Sequence, residues 1–200
     1  MTTTLGANSM SFDETVIHCS APSLCGIKPA SLFSIKSECF ADGKAKLQEW
    51  RGDFKKSKKY FVPLKKDGGR FLMFVFDKNL LEKVVASEEN SLYLIRKGYP
   101  VEKGLDGVLP VLLHRLAFSS CFPHEVGLFL GYPLCDVVGF ENDRSGYKFS
   151  GFWKVYGDLD EAERNMKMYK SCSEICMRML GSGLSVPMIA EKYGKTGEKL

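Results

Sequence analysis

Residues 60–77, YFVPLKKDGGRFLMFVFD, decide the architecture. Two apolar runs flank Asp67-Gly68-Gly69, and a glycine pair in that position predicts a β-hairpin. Its second arm, Phe71 to Phe76, is apolar at every position, which predicts a strand buried on both faces near the middle of a sheet. Pro63 has no N–H for a ladder, so the first arm belongs at an edge or carries a bulge.

Working outward, residues 12–20 predict a short helix capped by Asp13 and stopped by Pro22. Leu32, Phe33 and Ile35 predict a strand after Pro29, and residues 39–57 a helix that buries Phe40, Leu47, Trp50 and Phe54. Helical spacing returns at 78–86, 88–97 and 105–118, with Asp106 as the expected cap of the last. In residues 146–158, GYKFSGFWKVYGD, alternation predicts one strand with Phe149, Trp153 and Val155 on one face. Residues 158–180 carry the clearest helix, started by Asp158 and Glu161, with Ala162, Met166, Tyr169, Cys172, Cys176 and Met179 in one stripe. A short helix at SVPMIAEKY closes the order. The expectation is a single α+β domain over residues 12–194, with a small, mainly antiparallel sheet of about four strands packed by several helices. Residues 1–11 are expected to be a disordered tail and residues 195–200 a polar one.

Composition narrows the class. At 200 residues with 44% hydrophobic and 26% charged, the chain can bury a sizeable core. No apolar run approaches the roughly 20 residues of a membrane helix, and the first residues lack the pattern of a signal peptide. Seven cysteines, an odd number in mostly apolar surroundings, fit reduced thiols and a cytoplasmic location. The net charge of +4 is uneven. Residues 44–66 hold nine bases (Lys44, Lys46, Arg51, Lys55, Lys56, Lys58, Lys59, Lys65, Lys66) against Glu49 and Asp53, a charge of +7 that leaves −3 for the rest. Such a face either docks an acidic partner or is the solvated side of a helix. No nucleic-acid motif accompanies it.

Among chemical motifs, GLFLGYPL, GSGLS and GKTGEK match neither a Walker nor a dinucleotide fingerprint. His124-Glu125 lacks the second histidine of a zinc helix. No cofactor is implied by these motifs, and no metal is assigned. Cys172 and Cys176 lie one turn apart and could hold a metal or close a redox pair. Their apolar stripe already accounts for them as small core residues. Cys19 is a candidate nucleophile if a base such as His124 or His114 reaches it, and otherwise a buried structural thiol. Two readings also fit CFPHEVGLFLGYPLCDVVGF, residues 121–140. In one, Pro123 and Pro133 start short helices that Gly131 and Gly139 stop, and Glu125 and Asp136 serve helix termini and solvent. In the other, a proline-fixed turn presents His124 beside Glu125 at an anion-binding helix terminus.

Three segments in order, HCSAPSLCGIKPASLF, FPHEVGLFLGYPLCDVVGF and GFWKVYGD, resemble the bacterial family known as domain of unknown function 3793. The motif positions fall on Cys19, Lys28, Pro29, His124, Glu125, Gly127, Gly131, Tyr132, Pro133, Asp136, Trp153, Lys154 and Tyr156. Ser20 and Cys135 depart from the usual alanine and acidic residue. The resemblance spans most of residues 12–180 and implies a site without naming a reaction: Cys19, His124 and Glu125 as reactive candidates, with Lys28, Tyr132, Asp136, Trp153 and Lys154 as ligand contacts. The family is associated with anaerobic Gram-positive bacteria and with gene neighbourhoods of flavodoxin and ferrous-iron transport. Three function classes follow. One is a ligand- or metal-binding accessory protein in redox or iron physiology. Another is a cysteine-nucleophile hydrolase or transferase built on Cys19 and His124. The third is an interaction module whose basic face docks an acidic protein such as a flavodoxin.

Overall fold

The computed structural model describes residues 10–196. Residues 1–9 and 197–200, which hold most of the two expected tails, lie outside the described residues. In chain order the elements are α1 (Phe12–Leu24), β1 (Ala30–Lys36), α2 (Ser37–Lys56), β2 (Lys59–Asp67), β3 (Arg70–Asp77), α3 (Lys78–Ala86), α4 (Glu88–Arg96), α5 (Gly104–Phe118), α6 (Val126–Phe129), α7 (Leu134–Asn142), β4 (Phe149–Ser150), β5 (Lys154–Val155), α8 (Leu159–Gly181) and α9 (Val186–Thr196).

The hairpin forms as its sequence requires. β2 and β3 pair antiparallel around Gly68 and Gly69, both at positive φ, and β1 pairs antiparallel with the other edge of β3. The order β1-β3-β2 puts β3 in the centre and β2 at an edge. The β2 register shifts between Pro63 and Lys66, so the proline strand is both edge and bulge. Because side chains alternate across a strand, β3 feeds two cores. Phe74 and Phe76 pack with Leu81, Leu94, Leu112 and Phe129 of α3 to α6. Met73 and Val75 pack with Ile17, Trp50, Cys176 and Ile189 of α1, α2, α8 and α9. Each such buried side chain contributes about 1.5–3 kcal/mol. The fold is α+β, with helices on both faces of an antiparallel sheet.

Several boundaries differ from the sequence expectation, each for a local reason. α1 is capped by Ser11, which exchanges bonds with Glu14 in a capping box, while Asp13 pairs with Lys46 at 2.7 Å. Pro22 does not stop α1. It lies in the last turn, where the helix ends two residues later, and the chain turns at Gly26 with φ +75°. Asp106 does not cap α5, which starts at Gly104, and instead meets Lys78 at 3.3 Å. Gly139 does not end α7 but lies inside it; a Cβ there would run into the Tyr156 ring, so packing accounts for the glycine. The expected fourth strand is not part of the main sheet. It breaks at Gly151 and folds back, so β4 and β5 form a separate two-stranded hairpin.

Gly131 ends α6 as expected and does more. Its φ is +80°, and a Cβ there would come within 2.7 Å of the Pro29 ring. It therefore fixes how closely α6 approaches the loop after α1. Gly131→Ala is expected to cost about 1–3 kcal/mol, a drop in Tm of roughly 3–10 °C by calorimetry. Gly52→Ala, in a helix with nothing within 4 Å, should instead stabilise by about 0.5–1 kcal/mol.

Candidate functional site

Asp136 anchors the most developed site. It occupies the first turn of α7 and is 2% exposed. Its Oδ2 accepts from Trp153 Nε1 at 2.7 Å, and its Oδ1 accepts from the backbone N–H of Tyr156 and of Gly157, each at 2.7 Å. Three donors satisfy a buried carboxylate that would otherwise be expensive to desolvate. They also tie the chain just after β5 to α7. Trp153 is thereby pinned flat on Tyr132, with centroids 4.7 Å apart and planes 19° apart.

Between this stack and α6–α7 lies a cleft of about 550 Å³, a volume typical of small-molecule sites. His124, Tyr132, Asp136, Trp153 and Lys154, all expected from sequence, line it together with Phe122, Phe140 and Phe152. Phe122 and Phe152 remain 52% and 57% exposed, so the rim offers open aromatic faces. At one end Arg144 Nη2 meets His124 Nε2 at 3.0 Å. A guanidinium only donates, so Nε2 accepts and the imidazole proton sits on Nδ1. The Arg144 guanidinium and Lys154 Nζ lie 5.5 and 5.6 Å from the Phe140 centroid, in cation–π range. Lys154 also donates to the Arg144 carbonyl at 2.7 Å. Among the described residues neither cation forms an ion pair. The neighbouring Asp143 gives its carboxylate to Ser145. Those bonds hold its pKa below the usual range, with Lys154 adding a smaller pull.

Lys28 stands behind the stack, 5.5 Å from the Tyr132 ring and 5.6 Å from that of Tyr169. Burial among these rings lowers its pKa to about 8.

A second cleft of about 490 Å³ lies between the end of α2 and α9. It carries Asp53 and Glu191 beside Lys56 and Lys59, and Lys59 is already paired with Asp77, so its walls have no uniform sign. The basic segment lies on α2 and β2. Lys46 and Lys59 are spent in ion pairs, and Lys44, Arg51, Lys55, Lys56 and Lys58 are exposed.

The family model described as "Protein of unknown function (DUF3793)" matches residues 16–190. The chain belongs to that family. Neither a curated protein nor a solved structure matches it. The matched span of this DUF3793 member contains the whole cleft and its anchor. No described helix is long and apolar enough to cross a membrane.

The remaining candidates of this DUF3793 chain are placed differently. Cys19, in α1, neither lines the cleft nor hydrogen-bonds to His124, and burial raises its pKa. Glu125 occupies the N-cap position of α6, but its side chain neither caps that helix nor faces solvent, and it does not line the cleft. It is 6% exposed and accepts from Arg115 Nη1 at 2.7 Å and Tyr99 OH at 3.0 Å, and Arg115 lies over the Tyr99 ring. Arg144 and Cys25 escaped sequence reasoning. Arg144 sits in a polar stretch without a motif, and Cys25 is outside any periodic stripe.

Two outcomes test this geometry. Asp136→Asn removes an acceptor from a three-donor site and is expected to cost about 2–4 kcal/mol in urea unfolding. Its Trp153 emission should shift to the red. Burial alone would raise the Glu125 carboxyl, but the Arg115 bond, its own backbone N–H and the Tyr99 bond together outweigh it and lower the pKa below its ordinary 4.5. A depressed carboxylate pKa stabilises fully above the unfolded value and less as pH falls through the folded one. Glu125→Gln should therefore flatten the loss of stability below about pH 4.5, measured as unfolding free energy against pH.

Proposed function

We propose that this chain is a binding protein whose cleft takes a planar, anionic small molecule, serving as an accessory factor in redox physiology. One observation carries the reading: Lys154 lines a cleft walled by Phe140, Trp153, Phe122 and Phe152, and Arg144 reaches the lining His124 and Phe140 from beside it, neither cation forming an ion pair among the described residues. Aromatic faces stack on a flat ligand body, and the two cations with His124 receive its negative end. Asp136 orients Trp153 instead of reacting, since its oxygens are filled by N–H donors. The cleft has no cysteine among its lining residues, which favours binding over the Cys19–His124 hydrolase or transferase. The family's association with flavodoxin makes a flavin phosphate the first compound to test.

Titration of the full chain with riboflavin phosphate, adenosine triphosphate and anilinonaphthalene sulfonate, followed by fluorescence, provides the test. At least one is expected to saturate a single site, and riboflavin without its phosphate should bind more weakly than riboflavin phosphate. Arg144→Ala or Lys154→Ala should each raise Kd about tenfold, the effect of one lost charge-assisted hydrogen bond. Absence of saturable binding across the three anions, or binding indifferent to both substitutions, would overturn the reading.

A further inference from the structure

Three of the cysteines converge at a point separate from the cleft. Cys25 caps the C-terminal end of α1. Cys172 and Cys176 are four residues apart on α8, a spacing that sets both thiols on one helix face. The three Sγ atoms lie within 4.8 Å of one another, and those of Cys25 and Cys176 are 3.6 Å apart. All three residues are buried: Cys25 is 8% exposed, Cys172 and Cys176 0%. Tyr193 of α9 is near enough to Cys172 to influence its thiol, so a hydroxyl borders the same point.

We propose that Cys25, Cys172 and Cys176 form a binding site for one soft divalent metal ion of the zinc class, held by three thiolates with the Tyr193 hydroxyl beside them. Zinc–thiolate bonds of about 2.3 Å in a tetrahedron put the sulfurs about 3.8 Å apart, so the thiols need to move by no more than about 1 Å. An all-sulfur donor set selects against magnesium and calcium, which take oxygen ligands. Charge narrows the choice further. Three thiolates around a monovalent ion leave two net negative charges in a buried site, whereas a divalent ion leaves one, at lower desolvation cost. Each coordinating thiol gives its proton to solvent, so up to three protons leave as the ion enters.

Cysteine also packs as a small apolar residue, and the α8 stripe needs nothing more at positions 172 and 176. Cys25 is different. It comes from another helix, 151 residues before Cys176, and its thiol meets the same point. A bound ion would clamp the first helix of the domain to α8 beneath α9. The site shares no residue with the aromatic cleft, so each proposal can fail without the other.

The test uses the full chain, reduced and metal-free, titrated with cobalt(II) as a coloured stand-in for zinc. One ion per chain is expected, with a thiolate-to-cobalt charge-transfer band and the visible bands of tetrahedral cobalt, both displaced by zinc. X-ray absorption of the zinc-loaded chain should show sulfur neighbours at about 2.3 Å. Cys25→Ala should weaken zinc binding by more than about 100-fold, beyond the loss of an outer-shell partner. A Cys121→Ser/Cys135→Ser variant, which removes the two exposed thiols, should bind as the parent does. No uptake by the parent chain, a zinc shell of nitrogen and oxygen alone, unchanged binding in Cys25→Ala, or loss of binding with the exposed thiols would each overturn the proposal. The cobalt and X-ray measurements are made on the parent chain, so a variant that fails to fold leaves the proposal decidable.

Discussion

Strand β3 has no solvent side along Met73, Phe74, Val75 and Phe76, all of them buried. A strand in that position must be hydrogen-bonded along both edges and covered on both faces, since its own backbone and side chains cannot reach water. β1 and β2 fill the edges, and helices from both halves of the chain fill the faces. α1 and α2 from the start join α8 and α9 from the end on one side, and the middle of the chain forms the other. The two candidate sites inherit this division. The thiol cluster belongs to the core that joins the first and last helices, and the cleft adjoins the core made by the middle of the chain.

The cleft depends on a second constraint, smaller in extent but as strict. A carboxylate as buried as Asp136 persists only when its oxygens are filled with donors. Trp153, Tyr156 and Gly157 supply them, and in doing so fold residues 149–157 against α7. The Trp153–Tyr132 stack and the place of Lys154 opposite Phe140 of α7 accompany that attachment. The shape of the cleft thus rests on a residue whose own charge is fully committed. The cations at the cleft mouth, by contrast, hold theirs available.

Glu125 shows how adjacency in sequence misleads. It follows His124 directly, but the turn before α6 sends the two side chains to different surroundings: His124 to Arg144 and the cleft, Glu125 to Arg115 and Tyr99. In a tight turn successive side chains diverge, so a neighbouring pair rarely shares one site. The same geometry lets one short segment line the cleft with one residue and close a buried ion pair with the next.

The hairpin, the central place of β3, the edge place and bulge of β2, the helices of the middle segment and the stripe of α8 are legible in the amino-acid order alone. It also marked His124, Tyr132, Asp136, Trp153 and Lys154, which the fold brings to one cleft. These features are written in local patterns: period 2, period 3.6, glycine turns and a proline without a donor. The features that emerge only on folding involve partners distant in the chain. Gly139 reads as a helix stop until Tyr156 packs on it, and the strand at 149–155 reads as a fourth sheet member until Asp136 takes the N–H groups beyond it. Arg144 gains meaning only beside His124 and Phe140, and Cys25 only beside Cys172 and Cys176. Local periodicity records which face of an element is apolar. Which atoms meet across elements is set by packing the whole chain around one doubly buried strand.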